Sequence, residues 1–209
     1  MKKKIYLLPI LSSILVLLLF YQNCAQTGFP VNEETNQSLL EEPLKQQFPE
    51  FNLMSANQIY QTFLGLTGQS QDTPNQRAEF NQRKSSFSDQ GEVQAINAPY
   101  LLAAVSLAGT SCEVLVQRER NLADADRSIF SGINFGTGVS MVTDGTYIQA
   151  MNKMARSFWN MSLDQNEISA LVEYKRSYTE GVTDGANQTI NLMISSCSAL
   201  LGNIRVLAL

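Results

Sequence analysis

The chain has 209 residues, 15 basic and 19 acidic side chains and no histidine, which excludes Ser-His-Asp and Cys-His catalysis, histidine-ligated haem and the usual zinc-enzyme sites. A net charge of −4 argues against a phosphate-backbone partner, so no nucleic acid is expected. With 44% hydrophobic and 16% charged residues the chain can bury one globular core, or two small ones.

Met1-Lys2-Lys3-Lys4 precedes an apolar run of 17 residues from Ile5 to Tyr21. Charge followed by such a run is the pattern of an export signal. Interrupted by Pro9, Ser12 and Ser13, the run falls short of the about 20 apolar residues that a spanning helix needs. Gln22-Asn23-Cys24-Ala25 follows. Cys24, alone behind the apolar run, resembles the cysteine of a bacterial lipoprotein that receives a diacylglycerol on sulfur. The usual lipobox carries Leu three residues before that cysteine and small residues between, where this chain has Tyr21, Gln22 and Asn23. Phe20-Tyr21-Gln22-Asn23-Cys24 is similar to a variant found in lipoproteins of predatory, envelope-invading bacteria.

This resemblance implies that residues 1–23 are a signal peptide and that Cys24 is the lipidated first residue. It also implies a place in the cell envelope, at the outer membrane because Ala25 rather than Asp follows Cys24, facing the periplasm or the cell surface. An uncleaved signal anchor, or a signal cut elsewhere that leaves Cys24 a free thiol, are the other readings. All three export the chain. Losing Lys2, Lys3 and Lys4 would take the net charge to −7. An anionic membrane surface repels such a chain, so its membrane partner would be reached through the N-terminal acyl chains, more than one being needed for stable anchoring.

Residues 24–50 read as the lipidated N-terminus and a flexible acidic tether, with Pro30, Pro43 and Pro49 and no sustained apolar period. It reads as a spacer rather than a docking motif, although Leu39, Leu40 and Leu44 could touch the domain at 51–209. There the pattern turns helical. Ser55 caps a helix bearing Ile59, Tyr60, Phe63 and Leu66, with Gly68 at its end. Thr73-Pro74-Asn75-Gln76 opens a polar surface helix to about Lys84 whose one large apolar residue is Phe80. A long helix over residues 96–119, capped by Asn97 with Pro99 in its first turn, is expected to bury Leu101, Val105, Ala108, Cys112 and Leu115. A fourth begins near Asp144 and carries Tyr147, Ile148, Met151, Ala155 and Phe158, with Trp159 beside them. Ser162-Leu163-Asp164-Gln165 reads as a capping box for a fifth through Ile168, Leu171, Val172 and Lys175 to about Tyr178. The last runs from about Gly185 to Leu201, with Ile190, Met193, Ile194, Cys197, Leu200 and Leu201 inward, and ends at Gly202. The expected fold is all-α, a five- to six-helix bundle-like domain.

Cys112 and Cys197 lie on apolar helix faces of an exported chain, and a disulfide between them is the economical reading. It would close a loop of roughly 86 residues, contributing about 4 kcal/mol by chain entropy. Two buried thiols packing as small hydrophobes is the alternative.

Candidate chemistry is sparse. Asn134-Phe135-Gly136-Thr137-Gly138 lacks the Gly-Lys-Ser/Thr of a P-loop and reads as a flexible inter-helix loop. Asp124, Asp126 and Ser128 occupy the first alternate positions of a calcium loop, but Ile129 stands where Gly is required and Phe135 where Glu is. Glu113 and Glu119, the carboxylates of the long helix, read as solvated or ion-paired. Asp144, Asp164 and Asp184 are assigned to helix N-termini, and Lys84, Lys153 and Lys175 to polar surroundings. The Phe158-Trp159 pair reads as core rather than as a stacking platform. No catalytic, metal or cofactor-binding residue is assigned.

Ala155-Arg156-Ser157-Phe158-Trp159, with Leu163 and Glu167 downstream, resembles a helical hairpin in uncharacterised domains of exported bacterial proteins, some of which accompany cytochrome-c-like modules. Asn97-Ala98-Pro99-Tyr100-Leu101-Leu102-Ala103, with Ser106 to Gly109 and Cys112, resembles a segment of the same group. The resemblance covers about a quarter of the chain and implies no activity, and the haem-attachment motif is missing. The expectation is a lipid-anchored envelope protein that serves as a non-catalytic binding or structural component, with an envelope protein as partner. The alternative is a carboxylate-dependent cell-wall-acting enzyme.

Overall fold

The structure, a computed structural model, describes residues 53–87 and 98–207. Cys24, the tether with Leu39, Leu40 and Leu44, and the expected cap Asn97 lie outside these residues. Seven α-helices follow one another: α1 (Ala56–Leu66), α2 (Pro74–Arg83), α3 (Ala98–Arg120), α4 (Asp144–Trp159), α5 (Gln165–Gly181), α6 (Ala186–Leu201) and the single turn α7 (Ile204–Leu207). The described residues contain no β-sheet, so the domain is all-α.

The first two helices start where local chemistry says they should. Ser55 accepts from the Gln58 N–H while the Gln58 side chain accepts from the Ser55 N–H, and Thr73 and Gln76 repeat the arrangement at α2. Each reciprocal pair satisfies donors that a helix start leaves open. Gly68 ends α1 at φ 67°, a left-handed conformation that costs glycine little, and the Gln69 N–H then closes onto the Leu64 carbonyl at 2.8 Å. Three side chains fasten the polar helix α2, one of them Glu79, which accepts from the Ser106 hydroxyl of α3. Phe80 stacks on Tyr60 with ring centroids 4.4 Å apart, and the fully buried Gln76 approaches the Ser111 hydroxyl.

α3 and α6 form the centre of the domain, with α1 and α2 on α3, α4 on α6, and α5 against both α4 and α6. Cys112 and Cys197 join α3 to α6 in a disulfide with Cα atoms 5.8 Å apart, both residues wholly inaccessible. The expected stripe of α3 holds only in part. Ala108, Cys112 and Leu115 are buried, but Leu101 and Val105 are 38% and 43% exposed, and Tyr100, Ala103, Ala104 and Leu107 fill the interior instead. At this end the helix turns its small residues inward, which lets neighbouring backbones approach more closely than Leu and Val would.

Three caps differ from expectation. Asp164, not Ser162, is the N-cap of α5 and pairs reciprocally with Glu167, because Leu163 is buried and its N–H is held by the Asn152 side chain at 3.1 Å. Ser162 instead accepts from Arg156. Thr143 caps α4, and Asp144, inside the first turn, pairs with Lys175 at 2.7 Å. Gly185 stands at the N-cap of α6, while the Asp184 carboxylate takes the Ser140 hydroxyl at 2.5 Å and its N–H at 3.2 Å. These bonds hold the Asp184 carboxyl below the usual carboxylate range. A Cβ on Gly138 would run into that carboxylate, so a larger residue there would displace the Asp184 side chain from Ser140.

The 134–138 stretch, expected as a flexible inter-helix loop, belongs to a packed segment over residues 121–143. Ile129, Phe130, Ile133, Phe135, Val139 and Val142 are all core residues. The Asn134 side chain accepts from the Gly136 N–H, and Thr189 of α6 donates to the Thr137 carbonyl at 2.9 Å. Arg127 binds the Glu119, Leu122 and Ile133 carbonyls and lies over the Phe135 ring at 5.2 Å. The segment is a folded layer stitched to the helices at both ends.

Candidate functional site

The last turn of α3 supplies the most unusual carboxylate. Glu119 is 1% exposed and has no cationic partner among the described residues. It was expected to be solvated or ion-paired and is neither. Its oxygens take the Ser128 hydroxyl at 2.5 Å, the Ile129 N–H at 3.1 Å and the Phe130 N–H at 2.8 Å. Because a carboxylate only accepts, three converging donors explain how it stays buried. They also take three of its about four lone-pair sites. Glu113, by contrast, is exposed on the same helix, in a shallow cleft with Thr73, Gln76, Gln117 and Asn121.

A cleft of about 470 Å³ opens beside Glu119, where the end of α1, the last turns of α3, the 121–143 layer and α4 meet. Its floor is Leu66, Leu115 and Ile129, and its ionisable lining is Arg118, Lys153 and Arg156. Arg118 Nη1 donates to the Thr67 and Gly68 carbonyls, both at 2.9 Å, holding the cation at the negative end of α1. Lys153 donates to the Ser131 hydroxyl, and Arg156 to Ser162 Oγ at 3.1 Å. All three cations are therefore fixed by neutral acceptors. Sequence reasoning placed Lys153 in polar surroundings and gave Arg118 and Arg156 no role. Residues 35 apart in the chain carry no local signal of sharing a cleft.

The calcium-like residues do not converge. Asp124 Oδ1 is taken by the Gly132 N–H and Arg127, and among the described residues no three His, Cys, Asp or Glu side chains come together in a way that would hold a metal ion. Phe158 is core, as expected. Trp159 is partly exposed, but its indole N–H donates to the Leu200 carbonyl at 3.1 Å and Arg205 covers its ring at 4.9 Å, so neither is offered to a ligand. The 155–167 segment is a helical hairpin, α4 turning through the left-handed Asn160 into α5, with Glu167 paired to Arg205 at 2.7 Å.

A second polar cluster joins α1 to α2. Asp72 accepts from Tyr60 at 2.7 Å and from Arg77 Nη2 at 2.6 Å, and the Arg77 guanidinium above all holds its carboxyl down at about 2. Burial, followed by the hydrogen bond to Asp72, pushes the Tyr60 phenol well above its ordinary range. This cluster is saturated internally, Asp72 and Arg77 pairing with each other on the wall of an open cleft of about 440 Å³ that they share with Gln61, Leu64, Ser70 and Gln71. Compared with known proteins, the chain matches no family model, no curated relative and no solved structure.

Proposed function

We propose that this chain is a lipid-anchored protein of the cell envelope that acts by binding rather than by turnover. The observation that carries the binding half is the lining of the 470 Å³ cleft, where among the described residues every ionisable group is a cation and no carboxylate is present to act as acid or base. The anchoring half rests on Met1-Lys2-Lys3-Lys4, the apolar run behind it and Cys24. The membrane is the partner through the acyl chains, and a second envelope component is the expected partner of the domain.

Cys24→Ser tests the anchor: the protein should leave the membrane fraction for the soluble periplasm, or accumulate unprocessed. A correctly processed variant that still sediments with membranes would sink the lipid reading. Of the two carboxylates of the long helix, Glu119 is buried and Glu113 is exposed in its own cleft, so Glu113 is the first to test for a cell-wall-acting enzyme. Incubating the purified protein with peptidoglycan should release no fragments above buffer. Release that disappears in Glu113→Gln would put the enzyme in place of the binding protein.

A further inference from the structure

Among the described residues eleven side chains are Lys or Arg, and six of them form ion pairs. The five without one are Lys84, Arg118, Arg120, Lys153 and Arg156, and three of these five line a single cleft. In a chain with more acid than base, such grouping calls for a reason. Lys153 and Arg156 sit three apart on one face of α4, where like charges repel. No carboxylate of the cleft relieves them.

We propose that this cleft is a binding site for a phosphate monoester, the dianion sitting among Arg118, Lys153 and Arg156. Arg118 spends Nη1 on the Thr67 and Gly68 carbonyls, leaving Nε and Nη2 without an acceptor among the described residues. Its position is set by Gly68, since a Cβ there would stand 3.2 Å from Nη1. A guanidinium fixed in this way presents the planar donor pair that matches phosphate oxygens, while Lys153 adds a point charge. Arg156 is tethered through Nε alone, which leaves both of its terminal nitrogens to donate, and the exposed hydroxyl of Ser157 lies on the same lining.

The charge count selects the ligand class. One carboxylate would balance one of three cations, whereas a phosphate monoester above its second pKa of about 6 brings close to two negative charges and three acceptor oxygens. The cleft holds more than a bare phosphate, and the apolar floor of Leu66, Leu115 and Ile129 suits the organic group that carries it. That group belongs either to a free metabolite or to the headgroup of an envelope lipid. This inference deepens the binding reading above, and its test is separate from the Cys24 fractionation, so either can fail without the other.

The test is calorimetric titration of the purified full chain in a neutral detergent with inorganic phosphate, a sugar phosphate and a short-chain phosphatidic acid, the last presenting the monoester as a lipid headgroup. Saturable binding with half-saturation at or below about 1 mM is expected for at least one ester. It should tighten from pH 5.5 to 7.5 as the ester loses its second proton. Lys153→Gln and Arg156→Gln should each weaken it about tenfold, Lys153→Arg should retain most of it, and far-ultraviolet circular dichroism of the variants should match the parent. The tighter ester identifies the source. No saturation up to about 20 mM, equal heats from acetate at the same ionic strength, or an unchanged affinity in the Lys153→Gln, Arg156→Gln double variant would each overturn the proposal.

Discussion

Replacing Glu119 separates a buried structural anion from an idle one. Its carboxylate takes Ser128 Oγ at 2.5 Å and the Ile129 and Phe130 N–H groups at 3.1 and 2.8 Å, at 1% exposure. In Glu119→Gln the amide oxygen can still face the two N–H groups, and the Ser128 hydroxyl can turn to accept from the amide nitrogen. What is lost is charge assistance, roughly half the strength of such bonds, or about 1–2 kcal/mol. Glu119→Ala instead strands two backbone donors beside the fully buried Phe130, at about 1–3 kcal/mol each, and removes packed methylenes, for a total of about 3–5 kcal/mol. At about 2–4 °C per kcal/mol for a chain of this size, the melting temperature should fall by about 2–8 °C in the Gln variant and by more in the Ala variant. Urea titration followed by circular dichroism reads the energies, with the exposed Glu113→Gln as a control expected to stay within about 0.5 kcal/mol of the parent. A Glu119→Ala protein as stable as that control would show that the 121–143 layer does not depend on this carboxylate.

Two further perturbations have clear signs. Opening the Cys112–Cys197 bond with a Cys112→Ala, Cys197→Ala pair releases a loop of about 86 residues, costing about 4 kcal/mol; unreduced protein that, once denatured, takes up alkylating reagent at both cysteines would mean that the bond does not form. Asp72 has a carboxyl lowered to about 2 by Arg77 and Tyr60, so its contribution is complete above the ordinary value of 3.8 and is lost as pH falls through 2. The stability of the parent over Asp72→Asn should therefore be constant from pH 7 to 5 and shrink steadily below pH 4, and a difference that grows on acidification would reverse the assigned sign.

The starts of α1 and α2 were legible because their capping is decided within four residues: Ser55 with Gln58 and Thr73 with Gln76 needed nothing from the rest of the chain. At α5 two overlapping boxes, Ser162 with Gln165 and Asp164 with Glu167, were equally good locally. Burial of Leu163 and the Asn152 side chain from α4 decide between them. The face of α3 was misjudged for a related reason. A hydrophobic stripe ranks Leu101 and Val105 above Ala103 and Ala104, whereas close packing favours the smaller residues. Glu119 did carry a signal, since it continues the spacing of Cys112, Leu115 and Val116 into the interior. The cationic cleft carried none, because Arg118 and Lys153 meet only through the packing of α3, α4 and the layer between them.

The cleft and the buried carboxylate are two sides of one construction. Ser128 and Ile129 form part of the cleft wall, and they are the residues whose hydroxyl and N–H reach down to Glu119. Arg127, one residue earlier, ties the same stretch to the Glu119 and Leu122 carbonyls behind it and to Ile133 ahead. On the opposite wall Arg118 is pinned to the end of α1, and Arg156 is held by Ser162 in the turn after α4. A site whose cations are each already held by a neutral acceptor, with donors to spare, loses little order when a ligand arrives, which is how modest contacts give useful affinity. Loosening the wall through Glu119→Gln should therefore weaken ester binding without touching a cation. Arg120→Gln, which removes a charge from the same helix end but no residue of the cleft, should leave that binding unchanged once ionic strength is matched. A gain in Glu119→Gln, which removes a negative charge beside the cations, with a loss in Arg120→Gln would reduce the cleft to a diffuse positive field, whereas a loss in Glu119→Gln with none in Arg120→Gln marks it as a preorganised site.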